Sequence, residues 1–189
     1  MSIFEIDVKK NKPDHLSQIY FGMGCFWGAE RMFWQLNGVF STSVGYTGGK
    51  TSDPTYKEVC SGTTEHAEVV LVVYDSEIIR LDSLLNTFWE GHNPTQFNRQ
   101  GNDIGHHYRS IIFYKNEEEK RIVNLVIDNL KDVFDNEIVT EIAPEKKFYT
   151  AEKYHHDYYL RNSFQPYCAM IITPKINKVR KKYLDLYLQ

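Results

Sequence analysis

Cys25 lies within Gly24-Cys25-Phe26-Trp27-Gly28, between an apolar run at 19–23 and a stretch at 29–36. The first reads as a buried strand and the second as a helix. A cysteine at such a turn sits close to free backbone N–H groups and to the positive end of the helix dipole. Both favour a thiolate and pull the thiol below its free pKa of about 8.5. A soft nucleophile followed by two aromatic side chains suits attack on a small apolar group held against the sulfur. The same residues also suit a cysteine packed as a small hydrophobe at a Gly-bounded turn. Glu68 sits near the start of an apolar run, between Ala67 and Val69. A carboxyl desolvated there stays neutral near pH 7 and can donate a proton. The other reading is a surface glutamate on a strand edge.

These residues need elements to hold them. Residues 38–45 read as extended, and 46–54 as a loop rich in turn residues. The β-branched run 67–74 reads as a central strand. Leu81, Leu84, Leu85 and Phe88 have helical spacing within 81–91. Residues 93–105 form a polar loop, 110–115 a strand, and 117–134 the longest helix. Residues 139–142 read as a short strand, 150–162 as a last regular helix, and 169–173 as a strand. The mix predicts an α+β fold, a two-layer sandwich whose mixed, largely antiparallel sheet has a ferredoxin-like core. The long loops near 46–56 and 93–109 would wall a pocket.

Composition narrows the possibilities. The chain of 189 residues reads as one domain, 1–189, and 42% hydrophobic content supplies a sizeable core. A net charge of −3 argues against a general nucleic-acid binder. Met1-Ser2-Ile3-Phe4-Glu5-Ile6-Asp7 carries acids where a signal peptide needs a basic and then an apolar stretch. No apolar run reaches the roughly 18 residues of a membrane span. The expectation is a cytoplasmic protein. Cys25, Cys60 and Cys168 are far apart, with no C-x-x-C, so reactive or buried thiols are expected rather than a disulfide framework.

Further motifs extend the pattern: Gly45-Tyr46-Thr47-Gly48-Gly49, Pro54 through Gly62, His66-Ala67-Glu68-Val69-Val70, and Gln100 through Gly105. Tyr108-Arg109-Ser110 and Ala151 through Tyr158 follow. With Gly24 through Gly28, this ordered set resembles the A-type peptide methionine sulfoxide reductases over roughly residues 19–168, leaving a basic extension at 169–189. The resemblance implies reduction of the S epimer of methionine sulfoxide, peptide-bound or free, with Cys25 as nucleophile and Glu68 as proton donor. It implies that the Tyr56 and Tyr108 phenols hydrogen-bond the sulfoxide oxygen, that Asp103 supports the oxygen side, and that Phe26 and Trp27 cage the substrate methyl. It implies oxidised proteins as substrates and thioredoxin as reductant, with no cofactor, metal, nucleic acid or membrane. Attack leaves a sulfenic acid on Cys25, which condenses with a second thiol.

Cys168 matches the position of a resolving cysteine in many members. Here Ala169-Met170-Ile171-Ile172-Thr173 replaces the usual glycine-rich tail, and direct reduction of Cys25 by an external thiol competes. Cys60 reads as a buried structural thiol. Glu65 stands where the family usually has glycine; a positive φ there would strain it, and its charge could alter Glu68. Rival readings are a non-enzymatic thiol redox sensor and a zinc deaminase. His66-Ala67-Glu68 matches the H-x-E of the latter, but the downstream P-C-x-x-C is missing. The pairs His106-His107 and His155-His156 could suggest a metal site, but the adjacent residues of the second pair point apart on one helix and make a poor chelate. The basic stretch 175–182 reads as a solvated helix, docked through Val179, Tyr183, Leu184 and Leu186.

Overall fold

The computed structural model describes residues 15–187; the reading made for residues 1–7 falls outside them. The elements run β1 (Leu16–Met23), α1 (Phe26–Trp34), β2 (Val39–Thr47), α2 (Tyr56–Cys60), β3 (Ala67–Asp75) and α3 (Leu81–Gly91). There follow β4 (Arg99–Gln100), β5 (Asp103–Ile104), β6 (Ser110–Tyr114), α4 (Glu117–Leu130), β7 (Glu141–Pro144), β8 (Tyr149–Thr150), α5 (Tyr158–Asn162) and α6 (Thr173–Lys182). Six strands form one sheet in the order β7-β6-β1-β3-β2-β8. β3 is central and antiparallel to both β1 and β2, so α1 carries the chain across it. Among the described residues only the β6–β7 pair is parallel. The expected mixed, largely antiparallel sheet with packed helices is what forms.

Period-2 alternation on β3 decides what each face does. Ala67 and Val69 join a small cluster with Tyr20, Ile111 and Phe113. Val70, Val72 and Tyr74 face the main core, with Phe21 and Phe33 stacked at 4.8 Å and helices α1, α3 and α6 above. Glu68 shares the parity of Val70 and Val72, and so points to the helix side. The expected helix at 81–91 forms with those limits, its Leu81, Leu84, Leu85 and Phe88 buried. Among the described residues, no helix is long and apolar enough to cross a membrane.

Four expectations are corrected. Residues 150–162 are not one helix: a three-ten turn, Lys153–His155, is separated from α5 by Asp157 at φ +49°. The break lets His155 turn inward and the Asp157 N–H reach Glu30 Oε2 at 2.8 Å. Residues 169–173 are not a strand but belong to a π-helical turn, Cys168–Ile172, that runs into α6. Cys168, Ile172, Ile176 and Val179 bury one helical face there, a period stronger than the β propensity of the two isoleucines. The longest helix ends at Leu130, and β7 starts at Glu141 because the Val139 N–H bonds Pro94 O at 2.9 Å instead of joining the sheet. On α6 Val179 is buried, whereas Leu184, on the three-ten turn Leu184–Leu186 that follows, stays 63% exposed. Lys178 and Lys182 do more than solvate that helix; both pair with Glu90 of α3.

Candidate active site

β1 ends at Met23, and Gly24 turns the chain at φ +90°. A Cβ on Gly24 would lie 2.8 Å from the Gln100 side chain, so only glycine lets the 93–105 loop close over the turn. Cys25 is the N-cap residue of α1, as its strand-to-helix position predicts. Its sulfur receives a hydrogen bond from the Trp27 backbone N–H and lies beside the Tyr167 hydroxyl, which donates to Asp103 Oδ2. The expected low thiol pKa does not hold in the substrate-free site. Burial, then the carboxyl of Glu68, lift the thiol well above its usual range, and the Trp27 and Tyr167 contacts do not offset them.

Glu68 is 1% exposed, which rules out a surface glutamate. Its Oε2 accepts the Phe26 N–H at 3.3 Å, placing the carboxyl at the same helix N-terminus as Cys25. Burial first, and then the nearby charge of Asp103, push it up to about 8, against the Phe26 hydrogen bond. The carboxyl is therefore largely protonated at pH 7. Glu65 does adopt φ +60°. Its exposed carboxylate pairs with Lys50, however, and Asp103 supplies the charge felt by Glu68.

The two long loops deliver the phenols. Thr55 and Glu58 form a reciprocal cap that starts α2 at Tyr56. The Tyr56 N–H is held by Glu152 Oε1 at 2.8 Å, and Glu152 Oε2 accepts the Tyr46 hydroxyl at 2.8 Å. Tyr108 closes the three-ten turn His106–Tyr108. Burial, then Glu68, Tyr56, Cys25 and Asp103, raise the Tyr108 phenol far above its usual value. That order of influences places all five groups in one neighbourhood. Both phenols are neutral donors. Phe26 is 1% exposed, between Tyr46 and His155. Trp27 stacks on Tyr158 with centroids 3.7 Å apart and meets Tyr167 edge-on at 6.0 Å.

Three contributors escaped the sequence reading. The Tyr167 hydroxyl bridges Cys25 and Asp103. His155 is 1% exposed and its Nδ1 accepts the Trp27 indole N–H at 3.0 Å, which fixes that ring. Lys175 is half-buried, and its ammonium senses Asp103 and Cys25. It shares a cleft with Cys25, Met23, Met32 and Tyr167. The indole–imidazole pair spans 128 residues, so no local spacing announces it. Tyr167 is marked only by standing next to Cys168.

The other thiols differ from expectation. Cys60 is exposed rather than buried. Cys168 is 0% exposed and helical, packed in the main core. His66 uses both ring nitrogens on the loop ahead of α2: Nδ1 accepts the Gly49 N–H at 3.0 Å, and Nε2 meets Thr51 O at 2.8 Å. It has no free nitrogen for the zinc of a deaminase. His106 turns to Arg109 and His156 to Ala151 O, so neither adjacent pair converges.

A cysteine capping a helix N-terminus, beside a buried carboxyl and two neutral phenols, fits a thiol-dependent oxidoreductase with an internal acid. Comparison with known proteins gives the class a family. The profile for peptide methionine sulfoxide reductase matches residues 17–186. The peptide methionine sulfoxide reductase MsrA of Acinetobacter baumannii (strain AYE) is 48% identical over 171 residues, 90% of this chain and 98% of the relative. The crystal structure of reduced Mxr1 from Saccharomyces cerevisiae superposes with a TM-score of 0.79 at 35% identity, over 84% of this chain and 92% of that one. Mxr1 in complex with Trx2 matches with a TM-score of 0.57 at 26% identity, over 79% and 88% of the two chains. The chain belongs to the peptide methionine sulfoxide reductase family.

Proposed function

We propose that this protein reduces the S epimer of methionine sulfoxide, free or in oxidised proteins, with thioredoxin as reductant. The observation that carries the reading is the buried Glu68 carboxyl on the helix end that also holds Cys25, where burial favours its protonated form. The sulfoxide oxygen faces Glu68, Tyr56 and Tyr108, and its methyl lies against Phe26 and Trp27. Cys25 attacks the substrate sulfur, its thiol giving up as the bond forms the proton that replaces the one Glu68 donates. Glu68 protonates the oxygen as negative charge builds there, while the phenols stabilise it without adding charge of their own. Asp103, through Tyr167, orients the Cys25 side of the pocket. The oxygen passes to the Cys25 sulfur, methionine leaves as the thioether, and the sulfenic acid loses water when a second thiol attacks it.

The yeast relative bound to Trx2 supports thioredoxin in the second half of the cycle. Cys168, one residue from the Tyr167 that touches Cys25, is the internal candidate for resolution. Its buried setting requires the 167–172 turn to open first. Residues 1–189 act as one catalytic domain. The protein works in the reducing cytoplasm, where its three free thiols persist. A redox sensor would have no need of Glu68, Tyr56 and Tyr108 around its thiol. The test is turnover of separated S and R epimers with thioredoxin or a small dithiol. Methionine from the S epimer alone is expected; equal rates on both epimers, or none on either, overturn the reading.

A further inference from the structure

Cys60 has no part in the reaction just described, yet it borders the site. Its sulfur, a Glu68 carboxylate oxygen and a His107 ring nitrogen all lie within 4.8 Å of one another. They come from three separate elements: the end of α2, the start of β3 and the three-ten turn after β5. Cys60 is open to solvent, while Glu68 and His107 are 1% and 5% exposed. A second observation is independent of this clustering. His107 Nδ1 is buried without any hydrogen-bond partner, and native folds seldom leave such an atom unsatisfied. The ring lies against Gly105, where an added Cβ would come within 2.6 Å of it.

Sulfur, imidazole and carboxylate together match zinc and its neighbours, whereas magnesium and calcium take oxygen ligands. Tetrahedral zinc, with bonds of about 2.0–2.3 Å, spaces its donors roughly 3.5 Å apart. The three donors, within 4.8 Å of one another, must draw together by about an ångström to reach that spacing. We propose that Cys60, Glu68 and His107 form an inhibitory site for a zinc-like divalent cation. Cys60 binds as its thiolate and Glu68 as its carboxylate, each releasing a proton to solvent, and His107 supplies a ring nitrogen. Water fills the fourth position. Occupancy ties up the carboxyl that protonates the sulfoxide oxygen and draws Cys60 away from the Tyr56 phenol it now contacts. The inhibitory consequence rests on the function proposed above; the binding does not.

Two measurements test it. Cadmium chloride is titrated into the Cys25→Ser protein, and the ultraviolet charge-transfer band of the cadmium–thiolate bond is followed. One cation per chain is expected, with the band lost in Cys25→Ser/Cys60→Ser. A band that persists in the double variant assigns the sulfur to Cys168 and overturns the site. His107→Asn in the same background should weaken cadmium binding at least about ten-fold, since even changes behind the ligands cost that much; unchanged affinity overturns the three-donor arrangement. In the second measurement, zinc chloride is added to single-turnover reactions of parent and Cys60→Ser enzymes. Equal basal rates are expected, with half-inhibition of the variant needing at least about ten-fold more zinc. Identical inhibition of both places the cation on Cys25 and overturns the proposal. Should the protein fail to turn over sulfoxides at all, the cadmium titration still reads the site on its own.

Discussion

Glu68 and Glu30 are both buried carboxyls packed at α1, and each accepts a backbone N–H. Glu68 takes that of Phe26 at the helix start, at 3.3 Å. Glu30, on the helix itself, takes that of Asp157 at 2.8 Å. Burial pushes both up to about 8. A raised carboxyl therefore does not by itself mark a catalytic acid. Their neighbours separate them. Glu68 shares its surroundings with Cys25, Tyr56 and Tyr108, whereas Glu30 faces Asp157 and Arg161 in a turn that seats α5. On the function proposed above, similar proton affinities serve chemistry in one place and architecture in the other.

The largest expected effect concerns the sulfur that only Glu68 adjoins. Cys25→Ser abolishes methionine formation even in a single turnover with excess enzyme. Quantifying methionine after that one turnover checks this, and appreciable product would move the nucleophile to another thiol. Next in size is the loss of the acid. Glu68→Gln keeps the shape and the Phe26 contact but removes the transferable proton, so the chemical step slows by ~10²–10⁴-fold. Tyr56→Phe and Tyr108→Phe each cost less, because the other phenol still donates. Single-turnover rates rank the three, and a Glu68→Gln rate within a few-fold of the parent would erase the distinction from Glu30.

Glu30→Gln supplies the contrasting half. Its single-turnover rate stays within a few-fold of the parent, because no reacting atom is near. Its effect is on stability. The folded-state pKa of about 8 lies above the ordinary value of 4.5, so the folded protein holds a proton that the unfolded chain gives up. The stability linked to that proton is fully present below about pH 4.5 and is lost as pH rises through 8. The amide that replaces the carboxyl does not titrate, and its oxygen still accepts the Asp157 N–H. The variant therefore gains on the parent as pH rises from 5 to 8, by a few kcal/mol in order of magnitude. Urea unfolding at several pH values measures the gap; a gap independent of pH would mean that Glu30 is ionised in the fold.

The same contrast explains what was legible in the sequence. Cys25 and Glu68 announce themselves because their positions follow from local patterns: a glycine-bounded strand-to-helix turn, and a period-2 strand that puts Glu68 on the parity of Val70. The helix at 81–91 was legible from apolar spacing alone. What local pattern cannot carry is convergence between distant segments. Glu152 reaches Tyr46 and Tyr56 across 106 and 96 residues, and His155 reaches Trp27 across 128. Those inward side chains break the helix expected at 150–162. The Cys168 segment was misread for a different reason: two adjacent isoleucines outweighed a helical period that becomes visible only when Ile176 and Val179 are counted with them. The thiol pKa was misjudged because a helix end is a local feature, whereas the burial and acidic charge that overrule it are assembled from across the chain.

That misread segment sets the smallest and most discriminating effect. Cys168 is the buried neighbour of Tyr167, and a disulfide to Cys25 needs Cα atoms within about 7 Å and sulfurs turned toward each other. Its side chain now packs with Ile172, Ile176 and Val179, so resolution requires the π turn to unwind. π turns are single-turn irregularities whose hydrogen bonds differ from those of the flanking helix, which makes this one a natural place to open. Cys168→Ser therefore leaves the first turnover unchanged and acts only afterwards. If Cys168 resolves the sulfenic acid, parent enzyme given substrate without reductant accumulates a Cys25–Cys168 disulfide detectable by mass spectrometry. Dimedone then labels Cys25 far better in Cys168→Ser than in the parent, and recycling by thioredoxin slows in the variant. Equal labelling of both proteins, with no disulfide found, would make Cys168 a core residue and leave Cys25 to be reduced directly by an external thiol.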